Sequence, residues 1–408
     1  MTRSLSFQAV ILTTVASGAL CGGSGIANAA GYAQTNLASD ISGLATIFDP
    51  NLVNTWGVAN LPGSPFWIDN QGTGTSSLFA VSGATNVTPA NLFPNPPGPN
   101  TNFVAVLPPV VAGFPGPTGI VGNPSMSFGI AGGPALFIFA NLNGTISAWN
   151  LSNINSATHN AATVVAGTGG ASYTGLAINP GTSSSPAMLY AANGASGSID
   201  VFNSTFGPVT NLPPSAFVDP NLPAGYVPFN VEDIGGKVYV AYALAGHGSQ
   251  TTAMAGQGAI AVFDEDGGFL QELLGVKPTG TGELASPWGM AIAPPDFGQF
   301  SNDLLVGNFS AVDPGINAFN AMTGAFMGSI PIDLGGNMPG GLWDLTFGSG
   351  GSGNSNTLYF TDGINGEKDG LFAALVAVPE PSTWAMMLVG FGGLALFAAR
   401  RRAAPAIG

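Results

Sequence analysis

The sequence predicts an all-β protein, and two features of its composition indicate that class. Of its 408 residues, 61 are glycine and 32 are proline, while charged residues make up only 7%. Glycine and proline at this density interrupt long helices, and the 45% of hydrophobic residues supply a core that short strands and turns can bury. The third observation is a repeat that runs through most of the chain.

The N-terminal residues 1–29 have the pattern of a secretory signal peptide. Arg3 precedes an apolar stretch from Phe7 to Leu20, and Ala27 and Ala29 form a small-x-small cleavage site. We therefore expect export through the Sec pathway and a mature protein that begins near Ala30. The only cysteine of the chain, Cys21, lies inside this leader, so the mature protein has neither a disulfide nor a thiolate metal site.

Six units of about 55 residues follow the leader. Each unit begins with a strand, and in most units this strand contains a glycine. Trp56-Gly57 and Trp288-Gly289 are the clearest copies, and the anchor positions are 57, 119, 175, 230, 289 and 343. An apolar second strand follows in each unit; these are predicted at Ser77–Val81, Ala135–Ala140, Ala187–Ala191, Lys237–Tyr242, Asp303–Val306 and Thr357–Thr361. Third strands with alternating polarity are predicted at Gly144–Trp149, Gly197–Phe202, Gly258–Phe263 and Gly315–Phe319. The first unit shows no third strand and carries a proline-rich insertion from Thr88 to Gly119.

Six repeats of three or four short strands predict a six-bladed β-propeller over residues 30–377, because radial closure protects the edges of the sheets. A two-sheet sandwich is the alternative, but it does not explain the recurring Trp-Gly or Thr-Gly strand. Glycine in the innermost strand lets the blades approach one another near the axis. We expect a strand around Tyr32–Leu37 to complete the last blade, which ends at Gly370–Leu375.

The C-terminal residues 378–402 have the pattern of a short membrane helix with a stop signal. Val378-Pro379-Glu380-Pro381 precedes an uncharged, mostly apolar run at about 383–399, which Arg400, Arg401 and Arg402 follow. We expect one transmembrane helix and a short cytoplasmic tail at residues 403–408.

These residues resemble the PEP-CTERM sorting signal of Gram-negative bacteria, which is sometimes labelled an ice-binding protein C-terminal domain. The resemblance implies that Pro379, Glu380 and Pro381 are recognised by an exosortase. It also implies transient anchoring in the inner membrane, then release or attachment at the outer surface, often in bacteria that make exopolysaccharide. The resemblance implies a cellular location and implies no activity.

The charge distribution excludes several classes of partner. Between Ala30 and Val378 the chain has three lysines, no arginine and 20 of its 21 acidic residues. Nucleic acid binding requires clustered basic residues that neutralise phosphates, so a nucleic acid partner is excluded. Phosphorylated and polyanionic ligands are disfavoured for the same reason.

A second resemblance covers most of residues 35–375. The segments that carry it are Asp49–Gly57, Ser64–Gly74, Gly307–Phe309 with Ile316–Phe319, and Asn365–Phe372. They look like an uncharacterised bacterial family of NHL-like β-propellers that often carry the PEP-CTERM tail. The resemblance implies the fold and, because that family has no established activity, no mechanism.

The candidate ligand or metal face consists of Asp362, Glu367, Asp369 and His247, which lie in two long loops after second strands. His247 suits a general base or one metal ligand, and the carboxylates suit calcium or a sugar hydroxyl. Asp264-Glu265-Asp266 also offers carboxylates, but it lacks EF-hand spacing, and a hairpin turn is the simpler interpretation. Five tryptophans permit either stacking on sugars or packing between blades, and packing is favoured; they are Trp56, Trp67, Trp149, Trp288 and Trp343.

The sequence thus predicts an exported, surface-attached propeller that acts as a non-enzymatic binding or matrix protein. Its expected partners are exopolysaccharide or other surface proteins, and it needs no cofactor, with calcium as an open possibility. No catalytic residue is assigned. The alternatives are a propeller hydrolase or lyase that acts on extracellular carbohydrate, with calcium as a support, and a structural adhesin without a small ligand.

Overall fold

The computed structural model describes residues 27–29, 31–91, 103–106, 116–155, 160–167, 170–182, 185–378 and 391. Antiparallel sheets surround one axis, and the first strand of each blade packs against the first strands of both neighbours, with the sixth blade against the first. The predicted all-β, six-bladed propeller is therefore confirmed.

The strands of each blade follow one another from the axis outward. Blade one has Thr55–Ala59, Phe66–Asn70, Thr75–Ser82 and an outer edge of Asn86–Pro89 and Phe103–Ala105; blade two has Ile120–Gly122, Phe137–Ala140, Ile146–Trp149 and Ala162–Val165. Blade three has Tyr173–Asn179, Met188–Asn193 and Ser198–Asn203; blade four has Tyr226–Asp233, Val238–Leu244, Ala259–Phe263 and Phe269–Leu274. Blade five has Pro287–Ile292, Leu304–Asn308, Gly315–Phe319 and Phe326–Ile330; blade six has Leu342–Phe347, Thr357–Asp362, Leu371–Ala377 and Tyr32–Ser39.

Smaller elements decorate these blades. Gly129–Ile130 pairs with Gly133–Pro134 in a short hairpin, and Ile47–Phe48 pairs in parallel with the outer strand of blade six. One-turn helical segments occupy Leu151–Asn155, His247–Thr251, Gly298–Phe300 and Ile364–Glu367. No helix in the described part of the chain is long and apolar enough to cross a membrane. The helix expected at about 383–399, the Pro379-Glu380-Pro381 tripeptide and Arg400 to Arg402 lie outside the described residues.

The ring closes as predicted, through a strand from the N-terminal end. Tyr32–Ser39 pairs antiparallel with Leu371–Ala377, so the outermost strand of blade six precedes blade one in the chain. The Tyr32 hydroxyl also donates a buried hydrogen bond of 2.7 Å to the carbonyl of Phe297 in blade five. Ala27–Ala29, where cleavage of the leader is predicted, forms a short strand beside Tyr32–Gln34.

The innermost strands make direct backbone contact where they carry glycine. A Cβ atom on Gly57 would lie 2.7 Å from the Thr118 carbonyl oxygen, and one on Gly119 would lie 2.6 Å from the Leu176 nitrogen. These separations are too short for any side chain, which confirms the predicted role of glycine near the axis. The apolar core lies between neighbouring blades; Leu305, Phe360 and Leu371 fill the space between blades five and six.

Two details of the predicted repeat are wrong. In blade one the second strand is Phe66–Asn70, and the segment predicted as second, Ser77–Val81, lies in the third strand. In blade six the position equivalent to the ring glycines is residue 344, not residue 343, because a Cβ on Gly289 would meet the backbone around Asp344. Both errors arise from matching short apolar runs without knowledge of which strand pairs with which.

Candidate functional site

An axial cavity of about 490 Å³ opens on the face where the loops that follow the second strands meet. Five of the six blades line it, through Asn54, Trp56, Gln71, Leu142, Ser172, Thr174, Gly194, Ala195, Phe229, Gly246, His247, Gln250 and Glu367. Its size lies within the usual range for sites that bind small molecules. Among these residues the two with ionisable side chains are His247 and Glu367, and none is Lys or Arg.

His247 and Glu367 meet at this cavity from blades four and six, which lie on either side of blade five. His247 begins the helical turn after the second strand of blade four, and Glu367 ends the corresponding turn of blade six. The Nε2 atom of His247 lies 2.6 Å from Oε2 of Glu367, and the side chains are 58% and 13% exposed. The hydrogen bond from the imidazole to Glu367 raises the pKa of His247, so its protonated form persists to higher pH than that of an ordinary histidine.

Asn54 holds the Glu367 carboxylate from the side of blade one. Its amide nitrogen donates to Gln71 Oε1 at 2.9 Å and to Glu367 Oε1 at 3.5 Å, while Trp343 Nε1 donates to Asn54 Oδ1 at 3.3 Å. Asn54 and Glu367 both have left-handed backbone angles, with φ of 50° and 64°. Such angles are uncommon for residues other than glycine and occur often at functional sites.

A cluster of buried aromatic rings closes the axis beneath the cavity. The rings of Trp56 and Trp343 stack with centroids 3.4 Å apart, and Trp288 meets Trp343 edge-on at 5.6 Å. Phe229 and Phe309 complete the cluster, and Phe309 also packs against the ring of His247 at 5.8 Å. All five tryptophans of the propeller are buried, so their packing role is confirmed, and Trp56 additionally forms part of the cavity floor.

The other two predicted site residues do not line the cavity. Asp369 accepts a hydrogen bond of 2.8 Å from Asn365 Nδ2, on the same loop as Glu367. Asp362 is buried at the end of the second strand of blade six, and burial raises its pKa to about 8. It stands where other blades carry asparagine at or just after this strand end: Asn70, Asn141, Asn193 and Asn308.

A smaller cavity of about 200 Å³ lies at the opposite end of the axis. Its acidic lining residues are Glu232, Asp233 and Asp344. Asp344 ties blade six to blade one, since its Oδ2 accepts the Val58 N–H at 2.8 Å. Burial raises the pKa of Asp344 to about 7, and burial together with the nearby Asp344 raises the pKa of Glu232.

No group of three or more His, Cys, Asp and Glu side chains converges within the described residues in a way that could hold a metal ion. In the Asp264 turn, Oδ1 of that residue accepts the backbone N–H groups of Asp266 and Gly268, as in an ordinary hairpin turn. Calcium binding therefore stays a prediction.

Of the cavity-lining residues, sequence reasoning grouped His247 and Glu367, which the structure brings into contact, but did not single out Asn54, Gln71 and Gln250. Asn54 precedes the first strand of blade one, and Gln71 follows the second strand of the same blade. Their positions in the repeat were available as a signal, because equivalent loops of all blades meet at one face of a propeller.

Comparison with known proteins gives the C-terminal segment a clear assignment. Residues 377–402 match the PEP-CTERM protein-sorting motif. Uncharacterized protein R648 of Acanthamoeba polyphaga mimivirus is 28% identical over 313 residues, which is 72% of this chain and 67% of that protein. Uncharacterized protein L690 of the same virus is 33% identical over 164 residues, so the chain spans 39% of its length and the match covers 39% of this chain.

Solved structures resemble the chain only distantly. Kuenenia stuttgartiensis hydrazine synthase is 14% identical with a TM-score of 0.44, over 76% of this chain and 74% of that one. Streptogramin B lyase is 12% identical with a TM-score of 0.45, over 85% and 97% of the two chains. Similarity at this level gives no information about a ligand or a reaction of this chain. The chain is thus a six-bladed β-propeller with a PEP-CTERM motif at its C-terminus, the mark of a protein that is exported and sorted by an exosortase to the surface of Gram-negative bacteria.

Proposed function

We propose that the protein is a non-enzymatic surface protein whose axial cavity binds an uncharged sugar unit of an extracellular polysaccharide. The observation that carries this proposal is the lining of the cavity: Trp56, Phe229 and Leu142 supply apolar surface, and Gln71 and Gln250 supply amides. A sugar ring offers the matching chemistry, with an apolar face and hydroxyl groups at its edge.

The electrostatics of the cavity favour an uncharged ligand. Protonated His247 and Glu367 neutralise one another at 2.6 Å, and no further charged side chain lines the cavity. An anionic sugar would have to approach a domain with 20 acidic residues and three lysines. Repulsion at that range lowers association rates, so neutral polysaccharides are the preferred class.

Calorimetric titration of the propeller, residues 30–378, with the exopolysaccharide of the producing bacterium and with oligosaccharides cut from it tests this proposal. Ala195 and Ser196 are adjacent exposed residues, and only Ala195 lines the cavity. We expect saturating heat that Ala195→Trp abolishes and Ser196→Trp preserves. Equal binding by both variants would place the ligand elsewhere and contradict the proposal.

A second candidate function is hydrolysis or lyase cleavage of the same polysaccharide, and the His247–Glu367 pair favours it. An imidazole oriented by a carboxylate is a common acid–base device, and the raised pKa of His247 suits a proton donor. Under this alternative the calorimeter would record continuous heat in proportion to protein concentration. His247→Gln would then abolish product formation while ligand binding persisted.

A further inference from the structure

Blade three differs from the other five blades in the number of its strands. Its sheet contains Tyr173–Asn179, Met188–Asn193 and Ser198–Asn203, and the described residues provide no fourth strand. In a propeller the fourth strand covers the outer edge of each blade, so the strand Ser198–Asn203 is left at the edge of its sheet.

Half of this edge retains free backbone groups. At its C-terminal end the edge is covered, because the Val201 carbonyl accepts the Val209 N–H at 2.8 Å and the Asn203 N–H donates to Gly207. In an antiparallel strand, N–H and C=O of alternate residues point to the same side. The N–H and C=O of Ile199 and the N–H of Val201 therefore face outward as well, and they form no backbone hydrogen bond with any described residue.

A groove of about 400 Å³ lies along this free edge. It is lined by residues from both faces of the sheet: Tyr173 and Phe206 belong to the core between blades two and three, and Val201 and Phe217 to that between blades three and four. A cavity that reaches both faces occupies the place of a missing strand. The four residues Ser198–Val201 span roughly 13 Å, which matches an added strand of about four residues.

The surroundings of the groove are acidic. Asp200 is the one charged residue among those that line it. Phe217 forms part of the outer wall of the groove, and its backbone N–H donates to the carbonyl of Gly267, in the acidic turn that contains Glu265 and Asp266. Asp219 lies two residues after Phe217 in the chain. No lysine or arginine lines the groove, so the charge complement of this surface is a basic segment.

We infer that blade three binds an extended peptide of a partner protein as a fourth strand, and that this peptide has apolar central residues and basic flanks. The inference rests on the unpaired edge of the sheet, on the groove lined from both faces of the sheet, and on the acidic residues around that groove. Backbone hydrogen bonds to Ile199 and Val201 would hold the peptide, and the apolar walls would receive its alternate side chains. This site is separate from the axial cavity and does not depend on the function proposed for it.

The test uses fluorescence anisotropy of a labelled hexapeptide, lysine-valine-leucine-valine-leucine-lysine with blocked ends, added to the propeller of residues 30–378. Comparison peptides carry N-methyl groups on the four central amides or glutamate in place of both lysines. Thr210 lines the groove and is exposed, and Ser215 is an exposed residue of the same loop that does not line it. Thr210→Trp therefore fills the groove, and Ser215→Trp is its matched control.

We expect saturable binding of the parent peptide, with at least tenfold weaker binding after N-methylation, after exchange of the lysines, and in Thr210→Trp. Val201→Pro, which removes an outward N–H of an edge strand, should weaken binding to a similar degree. Absence of saturable binding at millimolar protein, or equal binding of the N-methylated peptide, would overturn the inference. Self-association of the propeller that Thr210→Trp abolishes would also overturn it, because the occupant would then be a second copy.

Discussion

The contact between Gly289 and the backbone of blade six gives a sharp test of how the ring is packed. A Cβ at this position would clash with the Trp343 carbonyl oxygen and lie 2.8 Å from the Leu345 nitrogen. The clashing atoms belong to a neighbouring first strand, so relief of the clash requires two blades to separate at the axis. Overpacking of this kind costs about 1–3 kcal/mol.

Gly289→Ala therefore destabilises the propeller despite the smaller entropy of its unfolded chain. Loss of glycine flexibility in the unfolded state returns about 0.4–1 kcal/mol, which leaves a net loss of up to roughly 2.5 kcal/mol. Guanidinium unfolding followed by tryptophan fluorescence measures this loss in the propeller of residues 30–378, because its five tryptophans are buried. Gly129→Ala is the control, since a Cβ there has no atom within 4 Å. Equal midpoints for the two variants would refute the account of the ring.

Three further predictions concern the site, the buried acid and the closure. Glu367→Gln should lower the pKa of His247 in an NMR titration, whereas Asp369→Asn should leave it unchanged. The His247–Glu367 pair stabilises the fold fully below the ordinary pKa of histidine, and this stabilisation is lost as pH rises through the raised pKa. Burial raises the pKa of Asp362 from 3.8 to about 8, so the folded state loses stability as pH rises between these values. Asp362→Asn should therefore raise the free energy of unfolding by on the order of 1–3 kcal/mol at pH 8 and by much less at pH 4. An equal gain at both pH values would contradict this account of the buried acid. Tyr32→Phe should cost at least about 0.5–1.5 kcal/mol, because it removes both the bond that the hydroxyl donates to the Phe297 carbonyl and the bond that it accepts from the Phe300 N–H. Tyr226→Phe should be neutral in the same unfolding assay, because the Tyr226 hydroxyl has no hydrogen-bond partner within the described residues.

The fold could be predicted because the residue that it requires near the axis, glycine, is recognisable in short stretches of the sequence. Glycine at the axis is imposed by backbone contact, so Gly57, Gly119, Gly175 and Gly289 recur at a readable period. Asn230 and Asp344 take the same ring position but reach a neighbouring blade through side-chain hydrogen bonds, to Trp288 and Val58. The anchor at residue 230 was placed correctly without a glycine, whereas in blade six nothing in the local pattern distinguishes Asp344 from Trp343, and the anchor there was placed one residue too early.

The site was only half predictable, because it is assembled across the closure of the ring. His247 and Glu367 are 120 residues apart, and the shared position of their loops in the repeat was enough to group them. Asn54 meets Glu367 only because the first and last blades become neighbours. Asp362 was grouped with them by its sequence proximity, but it lies at a strand end and is buried there.

A crystal structure of the propeller soaked with oligosaccharides from the producer's exopolysaccharide tests the central claim most directly. The account predicts a sugar ring in the axial cavity above Trp56, with hydroxyl groups within hydrogen-bond distance of Gln71 and the His247–Glu367 pair. A saccharide bound only on the outer surface of the blades, with the cavity filled by water, would contradict it.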